Sequence, residues 1–170
     1  GLIKIEMFAH GALCMAVSGK CYLSLHEKNA SANRGACNQI CRRAYTVKDR
    51  ENEVELDIEN EYIMSPKDLC TIGFINKMID AGVRVFKIEG RARSAEYVRT
   101  VCECYNEAIN AYLDDTYSAD KIRIWKKRLA TVFNRGFWNG YYLGQRLGEW
   151  SEVYGSKATK KKILLGKVTN

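Results

Sequence analysis

The stretch that decides the fold is VRVFKIEGRARS, residues 83–94. Its first half is rich in β-branched and aromatic residues, which is typical of a strand over 83–88. The polar turn EGRARS then leads to Ser94, a residue type that caps helices, and a helix is predicted over about 95–114. A strand followed directly by a long helix predicts an α/β fold with a parallel sheet.

A further helix is predicted immediately upstream, over 65–82. Ser65 can cap it, Pro66 suits the first helical position, and Asp68 favours the positive end of the helix dipole. Gly82 ends it. The residues predicted to form its apolar face are Leu69, Ile72, Ile75, Met78 and Ile79.

The remaining segments complete the predicted organisation. Residues 2–8, LIKIEMF, are strand-like, and 46–61 predict an exposed hairpin or loop. A basic amphipathic helix is expected over 118–133, followed by a turn-rich connection with several aromatics at 134–144. Residues 163–170 read as a strand cut in mid-course.

Four cysteines lie close together in the glycine-containing loop region 9–45. The intervals between them are irregular, so an iron–sulfur cluster and a zinc ion are comparable interpretations, with free thiols as the alternative. These predicted ligands are Cys14, Cys21, Cys37 and Cys41, with Cys70 as a substitute for the fourth. The remaining two cysteines, Cys102 and Cys104, are predicted to be small packed residues of the helix over 95–114.

The carboxyl ends of two neighbouring parallel strands would lie at one edge of the sheet, where such folds place their active sites. If 2–8 and 83–88 are these strands, the cysteine loop and EGRARS meet there. Arg91 and Arg93 are the predicted substrate-binding residues, because paired guanidinium groups bind carboxylate or phosphate. A structural network of ion pairs is the alternative. The predicted catalytic residues are Glu89, Lys87 and His10, beside Glu6.

Composition limits the class of protein. The chain has 170 residues, of which 46% are apolar, and this supports a folded core. Neither a leader nor an apolar run long enough to cross a bilayer is evident, so we expect a soluble cytoplasmic protein without membrane contact. Seven cysteines cannot all pair, which fits a reducing compartment.

The net charge of +7 favours a polyanionic partner without requiring one, because a run of charges is more often a solvated face. The excess is concentrated late in the chain. The predicted RNA-binding residues are Lys121, Lys126, Lys127 and Arg128.

Five phrases carry a family resemblance. They are EMFAHGALCMAVSGKCYLS (6–24), NRGACNQICR (33–42), YIMSPKDLC (62–70), AGVRVFKIEGRARSAEYV (81–98) and NRGFWNGYYLG (134–144). Together they resemble successive motifs of the collagenase-like peptidase family, peptidase U32, which includes prephenate-dependent tRNA uridine hydroxylases. The resemblance covers nearly the whole chain.

The resemblance implies a TIM-barrel-like α/β domain whose first half is absent and would be a partner segment of the same protein. Residues 1–133 would be the second half of that barrel, and 134–170 the connection and the start of a small β domain. It also implies a 4Fe-4S cluster on the four loop cysteines, with a later cysteine replacing the last one in some relatives.

The activity that the resemblance implies is hydroxylation of tRNA uridine with prephenate as co-substrate. Related members act on ribosomal RNA or in ubiquinone synthesis, and the basic charge favours RNA. A peptidase is the alternative, although neither an HExxH pair nor a GxSxG elbow is present, and Ser18 or Ser24 would then be the serine to test. A zinc-stabilised RNA-binding module is the third possibility. A fragment of the enzyme is expected to be inactive by itself.

Overall fold

The computed structural model describes residues 3–16, 19–56, 60–144 and 149–161. It is a mixed α/β structure with a four-stranded and a two-stranded sheet. The strands are β1 (Ile5–Gly11), β2 (Val47–Lys48), β3 (Glu55–Leu56), β4 (Asp68–Cys70), β5 (Val83–Ile88) and β6 (Phe137–Trp138). The α-helices are α1 (Tyr22–Lys28), α2 (Ile75–Asp80), α3 (Ala95–Leu113) and α4 (Ala119–Ala130).

The larger sheet has the strand order β5-β1-β4-β6. Strands β1 and β5 are parallel neighbours, as the sequence predicts, with Met7 opposite Phe86. Strand β4 runs antiparallel to β1, and β6 runs parallel to β4. The sheet is therefore mixed, and the carboxyl ends of β1 and β5 meet the beginning of β4 at one edge.

The helix predicted over 65–82 is wrong in its first half. Residues 68–70 form β4, and only Ile75–Asp80 are helical. Every residue from Asp68 to Ile72 is buried, so this segment lacks the solvent-exposed stripe of a surface helix. Ser65 and Asp68 are buried polar residues with tertiary partners, and they do not cap a helix.

The two long helices agree with the sequence. Ser94 Oγ accepts a hydrogen bond from the backbone N–H of Tyr97 at 3.2 Å, and Ser118 Oγ accepts one from Lys121 at 3.4 Å. Helices α3 and α4 pack on the sheet around one hydrophobic core. Its buried members include Val101, Cys104, Tyr105, Ala108, Trp125 and Leu129.

The two cysteines of α3 differ. Cys104 is buried, as predicted, whereas Cys102 is exposed, so the packed position predicted for Cys102 is wrong. The buried face of α3 runs through Val101, Cys104 and Ala108, at spacings of three and four residues. Cys102 lies outside that stripe.

The other predicted segments are placed as follows. Residues 46–61 contain the antiparallel hairpin of β2 and β3, and 134–144 contribute β6 to the larger sheet. The strand predicted over 2–8 is observed at Ile5–Gly11, and the one predicted over 163–170 lies outside the described residues. None of the helices in the described residues has the length and apolar character that a bilayer crossing requires.

Candidate functional site

The exit of β1 and the turn after β5 are in direct contact. The backbone N–H of Glu89 donates to the carbonyl of His10 at 2.8 Å, which extends the strand pairing beyond β5. Gly11 has a φ of +125°, and a Cβ atom there would lie 2.7 Å from the Cβ of Glu89. This glycine therefore allows the cysteine loop and the EGRARS turn to leave the sheet side by side.

The four cysteines of the loop remain neighbours in the folded chain. Cys21 precedes α1, and Cys41 lies in a short 3-10 helix, Ile40–Arg42. Burial raises the pKa of the Cys41 thiol, and Cys14, Cys37 and Cys21 raise it further through electrostatic repulsion. All four are free thiols.

Two of the thiols also accept backbone hydrogen bonds. Cys14 Sγ accepts from the N–H of Ala16 at 3.3 Å, and Cys21 Sγ accepts from Ser24 at 3.4 Å. Hydrogen bonds with the hydroxyl and the backbone N–H of Ser24 lower the pKa of Cys21 and so favour the thiolate, which is the metal-binding form. Four neighbouring thiols, two of which accept backbone hydrogen bonds, are the type of ligand that a soft metal centre prefers.

The thiols are not arranged as a preformed ligand set. Among the described residues, no group of three His, Cys, Asp or Glu side chains is placed so as to hold a metal ion. The structure thus brings the predicted ligands into one region without gathering them around one point.

Cys70 lies elsewhere. It is buried on β4, where its Sγ is 4.0 Å from the hydroxyl of Tyr105, and it is part of the hydrophobic core. The charges that change the pKa of Cys41 are those of Arg42, Cys14, Cys37 and Cys21, and Cys70 is not among them.

The three predicted catalytic residues occupy different environments. His10 is buried, with Nδ1 3.3 Å from the Tyr105 hydroxyl, and burial lowers its pKa to about 4. Lys87 is exposed and forms an ion pair with Glu6 at 3.6 Å. Glu89 Oε1 accepts a hydrogen bond from the backbone N–H of Arg91 at 3.0 Å. The hydrogen bond from the Glu89 N–H to the His10 carbonyl joins the backbones of these two residues, whereas the Lys87 side chain points toward Glu6.

The two predicted substrate-binding arginines also differ. Arg91 is exposed, and its side chain has no hydrogen bond or ion pair with any described residue. Arg93 is partly buried, and its guanidinium carbon lies 3.9 Å from the centre of the Phe133 ring.

The structure adds three residues that sequence reasoning did not select: Asp68, Arg135 and Arg42. Asp68 and Arg135 are both buried and form an ion pair at 3.4 Å. Arg42 donates to Ser65 Oγ at 3.0 Å and to the carbonyls of Pro66 and Leu13 at 2.7 and 2.6 Å. The sequence signal was that all three lie in the phrases of the family resemblance: Arg42 in NRGACNQICR, Asp68 in YIMSPKDLC and Arg135 in NRGFWNGYYLG.

The basic residues of α4 are not equivalent. Arg128 is bound to Glu103 and Glu107, and Lys121 donates to Thr116 Oγ1 at 2.6 Å. Lys126 and Lys127 have no ion pair among the described residues. These two lysines line an open groove of about 430 Å³ along α4.

The comparisons with known proteins agree with this arrangement of motifs. The model of peptidase family U32 matches residues 2–152. The chain belongs to this family.

Curated relatives of this U32 protein carry different names. A collagenase of Porphyromonas gingivalis is 74% identical over 97% of the chain and 40% of its own length. A tRNA hydroxylation protein of Bacillus subtilis is 40% identical over 93% of the chain and 38% of its length. A 23S rRNA 5-hydroxycytidine synthase of Escherichia coli is 43% identical over 65% of the chain and 17% of its length.

The U32 chain therefore spans about 40% of the length of the first of these relatives. No solved structure matches it.

Proposed function

We propose that this U32 protein is part of an iron–sulfur enzyme that hydroxylates tRNA, with a 4Fe-4S cluster on Cys14, Cys21, Cys37 and Cys41. The observation that carries this proposal is the grouping of these thiols around Cys41, next to the edge where β1 and β5 end. Relatives named for tRNA hydroxylation and 5-hydroxycytidine synthesis supply the reaction class and its RNA substrate. Such an RNA substrate implies a cytoplasmic enzyme.

A bound cluster of this type supplies one-electron chemistry or a structural cross-link between loops. The protein's own residues would position the other components beside it. Glu89 and Lys87 lie near the turn after β5 and are available for proton transfer, whereas His10 is enclosed in the core. Arg91 and Arg93 are proposed to bind the carboxylates of prephenate.

Metal reconstitution under anaerobic conditions tests the cluster. We expect about four iron atoms per chain and a visible absorption band. Both should be lost in Cys14→Ser and Cys41→Ser. Cys102→Ser is the matched control, because Cys102 is exposed on α3, and Cys70→Ser should also keep the iron. Iron that survives the double replacement of Cys14 and Cys21 would contradict the proposal, and bound zinc would favour the zinc module.

The salt dependence of tRNA binding tests the RNA contact. Each lysine that neutralises a phosphate contributes about 0.7–0.9 to the slope of log K against log salt. Replacing Lys126 and Lys127 by Gln should therefore lower the slope by roughly 1–2. Arg128→Gln is the control, since its charge is already paired with Glu103 and Glu107. Equal slopes for all three proteins would remove α4 from the RNA interface.

We propose that the mixed sheet is one half of a barrel. Strand β5 lies at the sheet edge, and apolar side chains on β1 and β5 are exposed, including Phe8 and Val85. An edge strand with exposed apolar residues is suited to pairing with further strands. Because the chain spans about 40% of its collagenase-named relative, we propose that the longer protein supplies those strands.

Peptide hydrolysis is the second candidate, because the relative that is 74% identical is named collagenase. Ser24 is fully buried, and its hydroxyl lies 3.5 Å from Cys21 Sγ, while Ser18 lies outside the described residues. Gelatin cleavage that persists after removal of iron and disappears in Ser18→Ala would favour this candidate. Gelatin cleavage that is lost only when a cysteine is replaced would count against the peptidase candidate.

A further inference from the structure

We infer that residues 149–152 form a strap that positions the cysteine loop, with Ser151 as its positioning residue. A buried chain of hydrogen bonds leads from Ser151 through Ser65 and Arg42 to the backbone at Leu13. The inference rests on the proposed function only for the role of the cysteines, because each of these contacts joins residues of the chain itself.

The strap is paired with the residues that precede β4. Two backbone hydrogen bonds of 2.9 and 2.7 Å join the two segments, from the N–H of Lys67 to the carbonyl of Glu149 and from the N–H of Ser151 to the carbonyl of Ser65. Between these bonds, Pro66 lies opposite Trp150 in an antiparallel bridge. A pair in this position exchanges no backbone hydrogen bonds, so a proline, which has no N–H, fits there. The register of the strap is therefore fixed on both sides of the proline.

Ser151 anchors the centre of the strap. It is fully buried, and its hydroxyl donates to Ser65 Oγ at 2.7 Å. Its carbonyl accepts a hydrogen bond from Asn60 Nδ2 at 3.2 Å. Because breaking any of these bonds would leave a buried polar group unsatisfied, the strap cannot leave Ser65 without a cost in free energy.

Arg42 continues the chain of contacts toward the cysteines. Its side chain is buried, and one Nη nitrogen donates to Ser65 Oγ at 3.0 Å. The other Nη nitrogen donates to the Leu13 carbonyl at 2.6 Å. One planar guanidinium thus joins the partner of the strap to the residue before Cys14, while its own backbone follows Cys41. A displacement of the strap would consequently reach the backbone at two of the proposed ligands.

The ion pairs at the ends of the strap are of a different kind. Lys67 Nζ lies 3.0 Å from Glu149 and 3.8 Å from Glu152, and these glutamate side chains are 39% and 62% exposed. Exposed ion pairs contribute little to stability, because water screens them. The buried bonds of Ser151 are therefore the route by which the strap acts on the cysteine loop.

Hydrogen–deuterium exchange of the full chain tests the strap. The reporter is the N–H of Arg43, which donates to the carbonyl of Ile40 at 3.1 Å at the end of the 3-10 helix that carries Cys41. Ser151→Ala should accelerate its exchange about three- to tenfold, the factor expected for the loss of one buried hydrogen bond. Peptides of α3 should change less than about twofold. Glu152→Gln is the matched control and should leave both regions unchanged, since it removes only exposed ion pairs.

A double-mutant cycle distinguishes a relay from two independent effects. Arg42→Met should accelerate exchange at Arg43 by itself, and adding Ser151→Ala should then change it less than about twofold, because the route is already broken. Ser65→Ala, which removes the hydroxyl between them, should behave like the double variant and serves if Arg42→Met does not fold. Release of iron from the reconstituted protein to a chelator should be faster in Ser151→Ala than in Glu152→Gln.

Three results would overturn the inference. One is unchanged exchange at Arg43 in Ser151→Ala, and another is an equal acceleration in α3, which would show that Ser151 supports only the global stability of the fold. The third is full additivity of Ser151→Ala with Arg42→Met. The exchange measurement is made before iron is added, so it can fail while iron binding succeeds, and it can succeed when the cysteines bind zinc instead.

Discussion

Acidification should destabilise this protein through His10. Burial lowers the pKa of His10 from 6.5 to about 4 in the folded state. Between these values the unfolded chain binds a proton at this residue and the folded chain does not, so stability falls as pH falls. One pKa unit corresponds to about 1.4 kcal/mol, and the full effect is therefore roughly 3 kcal/mol, complete near pH 4.

The surroundings of His10 explain why its neutral form persists. Its ring lies among Tyr97, Tyr105 and Phe137, with centroid distances between 5.6 and 6.1 Å. Burial raises the pKa of Tyr97 to about 12 and that of Tyr105 well above its usual range, so neither becomes a negatively charged partner in this window. An imidazolium would have no counter-ion among these three rings.

Urea unfolding followed by circular dichroism from pH 7.5 to 4 measures the effect. The difference in unfolding free energy between wild type and His10→Gln should change by roughly 3 kcal/mol across this range, with the wild type losing more. His26→Gln is the matched control, because His26 is exposed on α1, and it should follow the wild-type curve. Parallel curves for wild type and His10→Gln would refute the reasoning and make His10 available for proton transfer.

Three further stability predictions use the same unfolding assay. Gly11→Ala should lower the unfolding free energy by about 2–5 kcal/mol, because the backbone is strained at this φ and the new Cβ would overlap Glu89. Gly82→Ala should cost only about 1–2 kcal/mol, because its φ is also positive but the space around it is open. Equal losses would contradict the close approach of Gly11 to Glu89. Tyr105→Phe should cost about 0.5–1.5 kcal/mol, because the Ala9 carbonyl and the Thr71 N–H lose their shared hydroxyl but remain bonded to each other at 3.1 Å, and a neutral result would refute that network. Asp68→Ala should cost about 3–5 kcal/mol by leaving a buried arginine unpaired, against less than about 1 for the exposed Asp120→Ala. Similar values for these two would show that the Asp68 pair is solvated.

The sequence predicts the elements whose local pattern and tertiary surroundings agree. Strand β5 and helices α3 and α4 follow directly from alternating or helical apolar spacing and from capping serines. The helix prediction for residues 65–82 is wrong in its first half because every residue from Asp68 to Ile72 is buried. A uniformly buried segment shows no alternation of apolar and polar residues, so its sequence does not distinguish a strand from a helix.

The candidate site is predictable only where its residues are close in sequence. The cysteine loop and the EGRARS turn could be placed at one sheet edge once β1 and β5 were expected to be parallel neighbours. The contact of Asp68 with Arg135 joins residues 67 positions apart, and no local pattern indicates it. The burial of His10 likewise depends on α3 and β6, which lie far along the chain.

Arg42 also has a consequence for genetics. Its single guanidinium connects the backbone at Leu13, next to Cys14, with Ser65 and Pro66, and it follows Cys41 in the chain. Under the proposed iron–sulfur function, a selection for loss of activity should thus return Arg42 alleles together with alleles of the four proposed ligands. Such alleles would resemble the loss of a proposed ligand although the arginine offers no atom to a metal, because replacing Arg42 would release the backbone beside Cys14 from Ser65 and Pro66.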